Sequence, residues 1–333
     1  MNKYNFCTLF DKGYLLKGLA LYQSLAKFLP DFTLWILCMD EESYEIISRL
    51  NLPHTRPIRL SDFENANPEL KEIKKTRSSV EYCWTLSPSL PLHIIKTNDI
   101  PSITYLDSDL FFYTSPEVIF KEAGKSSISI IAQDVVESRK GNEGITGKYN
   151  VGMLIFKKDE NSLACLKWWK EKCDEWCYDR PEPERYGDQK YLDYFEEKFQ
   201  GVHIVANKGA GVAPWNVEKK EISERGGAVF VEKNLLVFFH FSRFFLYPPS
   251  LILPYGPDTV YNYTKSGEAK NLIYKPYALT LYAILRKVRG INPEWKYGLT
   301  ERPPFIASVQ EFLNNSMKYP LKKALKKLLK INK

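Results

Sequence analysis

Ile103-Thr104-Tyr105-Leu106-Asp107-Ser108-Asp109-Leu110-Phe111-Phe112-Tyr113 is the stretch on which the reading of this chain turns. Residues 103–106 form an apolar run, which reads as a buried strand. A second apolar run begins at Leu110. Between them stand two carboxylates two residues apart, delivered at a strand's end. Such a pair can share one divalent cation, and oxygen ligands suit Mg²⁺ or Mn²⁺. A cation held there could hold a diphosphate and stabilise its departure. The same pair also reads as a solvated strand-to-turn junction, so the decision falls to the rest of the chain.

With 333 residues the chain can bury a large core, and one catalytic domain with an appendage is expected. Its 44% apolar content does not favour disorder. No apolar stretch is long enough to span a bilayer. The run Phe6–Phe10 is too short for a signal peptide and has no cleavage site. Cys7, Cys38, Cys83, Cys165, Cys173 and Cys177 are scattered, which reads as reduced thiols in a cytosolic protein. Cys173 and Cys177 stand four apart, but no histidine lies near them to complete a zinc site.

The net charge of +7 has a local source. Residues 318–333 hold seven lysines (Lys318, Lys322, Lys323, Lys326, Lys327, Lys330, Lys333) and no acid. The 47 basic residues less these seven leave 40, which equals the 40 acidic residues. The body is therefore neutral. This excludes a broad nucleic-acid surface and points to a localised anionic partner. Leu321, Leu325, Leu328 and Leu329 recur at helical spacing among the lysines, after Pro320. A basic amphipathic helix lying on an anionic membrane surface is expected, which makes the protein peripheral on the cytoplasmic face.

Strand-like and helix-like segments alternate through the first two thirds. Expected strands are Phe6–Phe10, Phe32–Leu37, Pro57–Leu60, Ile103–Leu106, Ser127–Ala132, Val151–Phe156 and Leu235–Phe241. Expected helices are Tyr14–Phe28, Glu41–Leu50, Ser162–Cys177 and one opening at Gly187. Residues 67–97 look helical but interrupted near Pro88 and Pro91. Alternation of this kind predicts an α/β fold, a mostly parallel sheet flanked by helices. Ligands then bind beyond the carboxyl ends of strands, where Asp107 and Asp109 lie. From about Pro248 the character changes to prolines and helix-like segments, so a C-terminal helical extension is expected over 248–333 after a catalytic domain at 1–247.

Seven short motifs line up in order: Cys7-Thr8-Leu9-Phe10-Asp11 with Tyr14; Tyr105-Leu106-Asp107-Ser108-Asp109; Ala132-Gln133-Asp134; Tyr149-Asn150-Val151-Gly152; Gly187-Asp188-Gln189; Pro214-Trp215-Asn216; and Phe239-His240-Phe241. Over residues 3–245 the chain resembles the GT-A glycosyltransferases, in particular the family 8-like retaining enzymes of bacterial cell-surface glycan synthesis. The resemblance implies a Rossmann-like sheet, a nucleotide-diphosphate sugar donor and a glycan or lipid-linked acceptor. It also implies Mn²⁺ or Mg²⁺ on Asp107, Asp109 and His240. Thr8, Asp11 and Tyr14 would line the base and ribose pocket, with Asp107 near the ribose. Asp134 would face the donor sugar, Asn150 and Gly152 would sit beside it, and Trp215 and Asn216 would shape the far wall. Asp188 and Gln189 would flank the anomeric carbon. One departure stands out: His240 is followed by Phe241-Ser242-Arg243, without the glycine and Lys-Pro-Trp usual in family 8, so Arg243 would supply the positive charge for phosphate.

Other classes share fragments of this pattern. A haloacid-dehalogenase-type phosphatase normally has Thr or Val two residues after its second Asp, where this chain has Phe111. A sugar-nucleotide pyrophosphorylase needs a glycine-rich basic loop, and Phe10–Tyr14 offers one Gly and one Lys. A glycan-binding protein without catalysis is the non-enzymatic reading. Asp188 also reads as a helix cap and His240 as a core histidine. Arg77 and Glu81, near Trp84, look site-like without a definite place.

Overall fold

The computed structural model describes residues 4–136, 140–249, 255–257 and 267–301. The strands up to residue 204 are, in chain order, β1 (Tyr4–Phe10), β2 (Phe32–Cys38), β3 (Thr55–Arg59), β4 (Ser102–Leu106), β5 (Leu110–Phe112), β6 (Ile128–Ala132), β7 (Tyr149–Lys157) and β8 (Val202–Ile204). All but β5 join one seven-stranded sheet in the order β3-β2-β1-β4-β7-β6-β8. Only β7 runs antiparallel to its neighbours, β4 and β6; the other pairings are parallel.

Both faces of this sheet are covered, which is why its central strands read as unbroken apolar runs. In β1 the two faces alternate. Phe6 and Phe10 pack into the layer built on α1 (Leu15–Phe28), while Cys7 and Leu9 pack into the opposite layer. The α1 layer also holds α2 (Glu41–Leu50). The opposite layer receives Phe63 from α3 (Leu60–Ala66), Leu70 from α4 (Glu69–Lys74) and the buried side of α5 (Ser79–Thr97). After α6 (Glu117–Ala123) and α7 (Lys140–Thr146), α8 (Glu160–Glu175) completes this layer with Cys165, Leu166 and Trp169.

Helix α5 overrides a local rule. It runs without a break through Pro88 and Pro91, where the sequence predicts interruption. Leu86, Pro88, Leu90, Pro91 and Leu92 are all buried, so tertiary burial outweighs the poor helix propensity of proline. Its start is fixed by a capping box in which Ser78 and Glu81 each satisfy the other's backbone N–H.

Beyond β8 a small antiparallel sheet, β9 (Ile222–Arg225), β10 (Ala228–Val231) and β11 (Asn234–Leu235), leads to β12 (Phe238–His240). The expected strand over 235–241 is thus two short pieces. Strand β12 pairs antiparallel with β5, His240 opposite Leu110. A last hairpin joins β13 (Phe244–Leu246) to β14 (Tyr255–Pro257). Helix Lys275–Ile291 follows and shares the α1-side core through Tyr277, Leu281, Ile284, Leu285 and Val288. The Tyr277 ring stacks on Phe241, centroids 3.6 Å apart, directly behind β12. Among the described residues no helix is long and apolar enough to cross a membrane. The lysine-rich segment 318–333 lies outside the described residues.

Helix α1 approaches β1 closely because position 18 is glycine. A Cβ there would stand 2.3 Å from Cε1 of Phe10, a ring that is itself buried. Gly18→Ala should therefore destabilise the fold by about 1–3 kcal/mol through overpacking, despite alanine's better helix propensity. Urea unfolding monitored by circular dichroism checks this; an unchanged or higher midpoint would show that the Phe10 ring can yield.

Candidate active site

Strand pairing assembles the site. Strand β4 ends at Leu106, and the Asp107 N–H extends the β4–β7 ladder by donating to Gly152 O at 2.8 Å. The chain then turns and enters β5. The Phe241 N–H donates to Asp109 O at 2.8 Å, and the His240 N–H to Val212 O at 2.9 Å. Three remote segments thus meet through backbone hydrogen bonds. Their side chains converge: one ligand atom each from Asp107, Asp109 and His240 lies within 4.8 Å of the others. His240 Nε2 is 3.0 Å from Asp109 Oδ1 and 3.6 Å from Asp107 Oδ2.

A relay of amides fixes the imidazole. Asn150 Oδ1 accepts from the Gly152 N–H at 2.9 Å and faces His240 Nδ1 at 3.1 Å. Asn150 Nδ2 donates to Gln189 Oε1 at 2.8 Å, and Gln189 Nε2 donates to the Thr146 carbonyl at 2.8 Å. Backbone groups of fixed polarity stand at both ends, so the amide orientations follow, and Nδ1 carries the proton. Nε2 is then the ring position turned to the carboxylates: it donates to Asp109 while the ring is charged, and once deprotonated it offers the lone pair a histidine metal ligand needs. Gly152 is required here: a Cβ would lie 2.6 Å from Asn150 Oδ1 and 2.9 Å from His240 Nδ1.

The electrostatics are those of a cation site. Burial pushes the Asp107 carboxyl up to about 6; His240 opposes the rise and Asp109 adds to it. Asp109 is also buried, yet it stays below the usual carboxylate range because His240 and Lys17 favour its charge. The Lys17 ammonium on α1 is 3.8 Å from Asp109 Oδ2. Burial works against a charged His240, but Asp109 and Asp107 outweigh it and raise the imidazole. Asp188 is driven up to about 7, first by burial and then by the charge of Asp107. Carboxylates and an imidazole so arranged suit Mg²⁺ or Mn²⁺.

These groups open into a cavity of about 540 Å³. Of the residues singled out in the sequence, Asp11, Tyr14, Asp107, Asp109, Asn150, Asp188, Gln189, Trp215, His240 and Arg243 line it. Gly187 precedes Asp188 with φ +52°, a left-handed conformation that favours glycine, and its Cα hydrogens pass close to the Trp84 ring. The segment after it is a short 3-10 turn (Lys190–Tyr194) rather than a regular helix, and no side chain caps it.

Other expected residues sit elsewhere. Thr8 is fully buried and does not line the cavity, which Leu9, Phe10 and Asp11 reach at the end of the same strand. The Asp134 carboxylate is held by Lys219 at 2.5 Å and Lys220 at 2.8 Å; its neighbours Gln133 and Val135 line the cavity and Asp134 does not. Asn216 supports the wall from behind, donating to the carbonyls of Gln133 and Gly211 at 2.9 Å. Trp215 donates to the same Gln133 carbonyl at 2.8 Å and lies edge-on to His240. Arg77 and Glu81 fasten the loop that leads to Asp188: Arg77 donates to the Tyr178 hydroxyl and the Asp174 carbonyl, and Glu81 accepts from the Asp179 N–H.

Sequence reasoning missed the wall supplied by α5. Val80, Cys83, Trp84 and Ser87 line the cavity at the i, i+3, i+4, i+7 spacing of one helix face. That stripe lies ahead of Pro88 in a segment the sequence marks as helical, but helical spacing alone does not tell a face on the core from a face on a cavity. Tyr105, within the Tyr105-Leu106-Asp107-Ser108-Asp109 motif, also contributes: its hydroxyl reaches Asp107 Oδ1 at 3.2 Å.

No family model matches the chain. Two uncharacterised proteins of Bacillus subtilis strain 168 do resemble it. YfnF is 31% identical over 298 residues, covering 87% of this chain and 95% of the relative. YfnD is 30% identical over 302 residues, covering 90% and 95%. Among solved structures, the galactosyltransferase LgtC in complex with donor and acceptor sugar analogues aligns with a TM-score of 0.52 at 14% identity, over 84% of this chain and 95% of that one. Likeness at that identity is a likeness of fold. The chain has the GT-A glycosyltransferase fold, and it belongs to the family of YfnF and YfnD.

Proposed function

We propose that this protein is a metal-dependent glycosyltransferase of the family 8-like, retaining kind. It takes a sugar from a nucleotide-diphosphate sugar, of the UDP class, and passes it to a glycan or lipid-linked acceptor. The observation that carries the reading is the convergence of Asp107, Asp109 and His240 at the wall of a cavity that Asp188 and Gln189 also line. The fold supports it as a class of reaction; the donor, the stereochemistry and the acceptor are this proposal's own. A screen of UDP- and GDP-sugars for Mn²⁺-dependent hydrolysis tests it. Mn²⁺ binding without turnover on any donor would leave a glycan-binding protein instead.

Asp107, Asp109 and the Nε2 of His240 would hold Mn²⁺ or Mg²⁺. When bound, such an ion supplies positive charge that stabilises a departing diphosphate without proton transfer. Tyr14 and Asp11 are offered for the base and ribose, and Arg243 for phosphate oxygens through its planar fork. The sugar carbon becomes oxocarbenium-like as its bond to phosphate breaks. Asp188 and the amide oxygen of Gln189 are the groups offered to stabilise that charge. Asn150 holds both His240 and Gln189, so it couples the metal shell to the sugar end of the cavity. The C-terminal segment 318–333 would keep the enzyme on the anionic cytoplasmic face of the membrane, beside a lipid-carried acceptor.

Three outcomes follow from this reading. Replacing Asp107 and Asp109 together by Asn should abolish Mn²⁺-dependent turnover and lower Mn²⁺ affinity by about 100-fold or more, with the folded circular dichroism spectrum retained. Turnover equal to wild type in that variant would remove both residues from the site.

Acidification should weaken the metal. Asp107, raised to about 6, and His240, raised above its ordinary value, both gain protons as pH falls, and each proton competes with the ion. Isothermal titration at pH 7.5 and 5.5 should give an Mn²⁺ affinity lower by about tenfold or more at the acid end; a flat profile would exclude both groups as ligands.

Deleting residues 318–333 should release the protein from anionic vesicles while leaving donor hydrolysis in solution unchanged. Each lysine near such a surface contributes about 1 kcal/mol, screened by salt. Equal vesicle flotation with and without the segment would make the lysines a solvated end.

A further inference from the structure

We propose that Lys17 couples metal binding to diphosphate binding: its ammonium competes with the divalent ion for Asp109 and, once the ion is bound, serves the donor's diphosphate. The inference rests on the metal-dependent donor reading and deepens it.

Charge balance raises the question. Asp11, Asp107, Asp109, Asp179 and Asp188 line the cavity, against Arg243 and His240 as its basic lining groups. A divalent ion shared by Asp107 and Asp109 has its two charges matched by theirs. A diphosphate entering beside it meets the remaining carboxylates and needs further positive charge nearby.

Geometry supplies the candidate. Tyr14 and Lys17 stand three residues apart at the start of α1, on one face. Lys17 Nζ lies 4.1 Å from the centroid of the Tyr14 ring and 3.8 Å from Asp109 Oδ2, and both partners line the cavity. The ammonium therefore lies directly behind these two wall residues, its side chain 12% exposed, and does not itself line the cavity. Asp109 is divided between two cations: Oδ1 faces His240 Nε2 at 3.0 Å, and Oδ2 faces Lys17. At 3.8 Å the contact with Lys17 is longer than a hydrogen bond, so Asp109 leaves the ammonium's donors unspent. Lysine's flexible stem lets that head turn from a carboxylate to a phosphate oxygen without moving the helix.

Two opposite effects follow from one charge. With no nucleotide, Lys17 sits beside the ion and repels it. With a diphosphate present, the same charge faces anionic oxygens and attracts them. Each ligand should then bind better when the other is present, by the same factor for both.

Lys17→Met keeps the stem on Tyr14 and removes the charge; Lys17→Arg keeps the charge. Isothermal titration of Mn²⁺ alone, then of UDP and of GDP at saturating Mn²⁺, reads both effects, with uridine and guanosine as probes that lack phosphate. In Lys17→Met we expect Mn²⁺ alone to bind about threefold or more tighter, and the diphosphate that wild type binds to weaken by about tenfold. Nucleoside affinity should stay as in wild type, and Lys17→Arg should recover most of the diphosphate affinity. Unchanged Mn²⁺ and diphosphate affinities in Lys17→Met would overturn the proposal. So would a joint loss of Mn²⁺ alone and diphosphate, the mark of a lysine that only holds Asp109 in place. Wild-type protein that takes up neither Mn²⁺ nor either diphosphate overturns the donor reading itself, and this inference with it.

Discussion

Carboxylates crowded beside one another in a largely desolvated cavity are the constraint on which this site depends. Asp107, Asp109 and Asp188 lie in one cavity, and Asp107 and Asp188 are pushed up by burial and by like charge. Desolvation of a carboxylate costs several kcal/mol unless a positive partner offsets it. His240 offsets part of it at Asp107, but only at Asp109, where Lys17 adds its charge and His240 a hydrogen bond, does the carboxyl stay low. The remaining imbalance defines what the site accepts: something carrying concentrated positive charge and tolerant of oxygen and imidazole ligands.

The fold bears that cost through backbone pairing rather than through side-chain contacts. Asp107 is tied to β7, Asp109 to the residue after β12, and His240 to Val212. These are main-chain hydrogen bonds between segments that side-chain mutation barely touches. Behind them the aromatic stack of Phe241 on Tyr277 seats helix Lys275–Ile291 against β12. The helix after residue 247 thus shares a core with α1 and steadies the histidine strand from behind. A histidine on so short a strand would otherwise depend on three residues of pairing.

Legibility in the sequence followed the local rules. The parallel strands were readable because burial on both faces leaves an unbroken apolar run, and Asp107 and Asp109 because they interrupt such a run at its carboxyl end. Thr8 lies two residues short of the strand's end and is fully buried, whereas Leu9, Phe10 and Asp11 after it reach the cavity, a depth that the motif alone does not reveal. Asp134 was legible as an acid near the site but not as the partner of Lys219 and Lys220, which lie 85 and 86 residues on. The α5 wall failed for another reason. Val80, Cys83, Trp84 and Ser87 share a helix face, but an apolar stripe at helical spacing reads as core until the cavity beside it is seen. Lys17 offered no signal, since an isolated lysine in a helix is ordinarily solvated.

The amide relay explains why the two ends of the cavity need not be tuned separately. Asn150 gives its oxygen to His240 and its nitrogen to Gln189, so a shift at either partner moves the same planar group. Gly152 closes the relay from below, where its N–H fixes the Asn150 oxygen and its missing Cβ leaves room for the imidazole. Thr146 closes it from above through a carbonyl at the end of α7. A rigid chain with fixed polarity at both ends admits one hydrogen-bonding pattern, and that pattern holds the proton on Nδ1 of His240 and turns Nε2 toward the carboxylates. Ligand geometry at the metal end and oxygen placement at the sugar end are therefore one structural property, set by the backbone of β7 and α7.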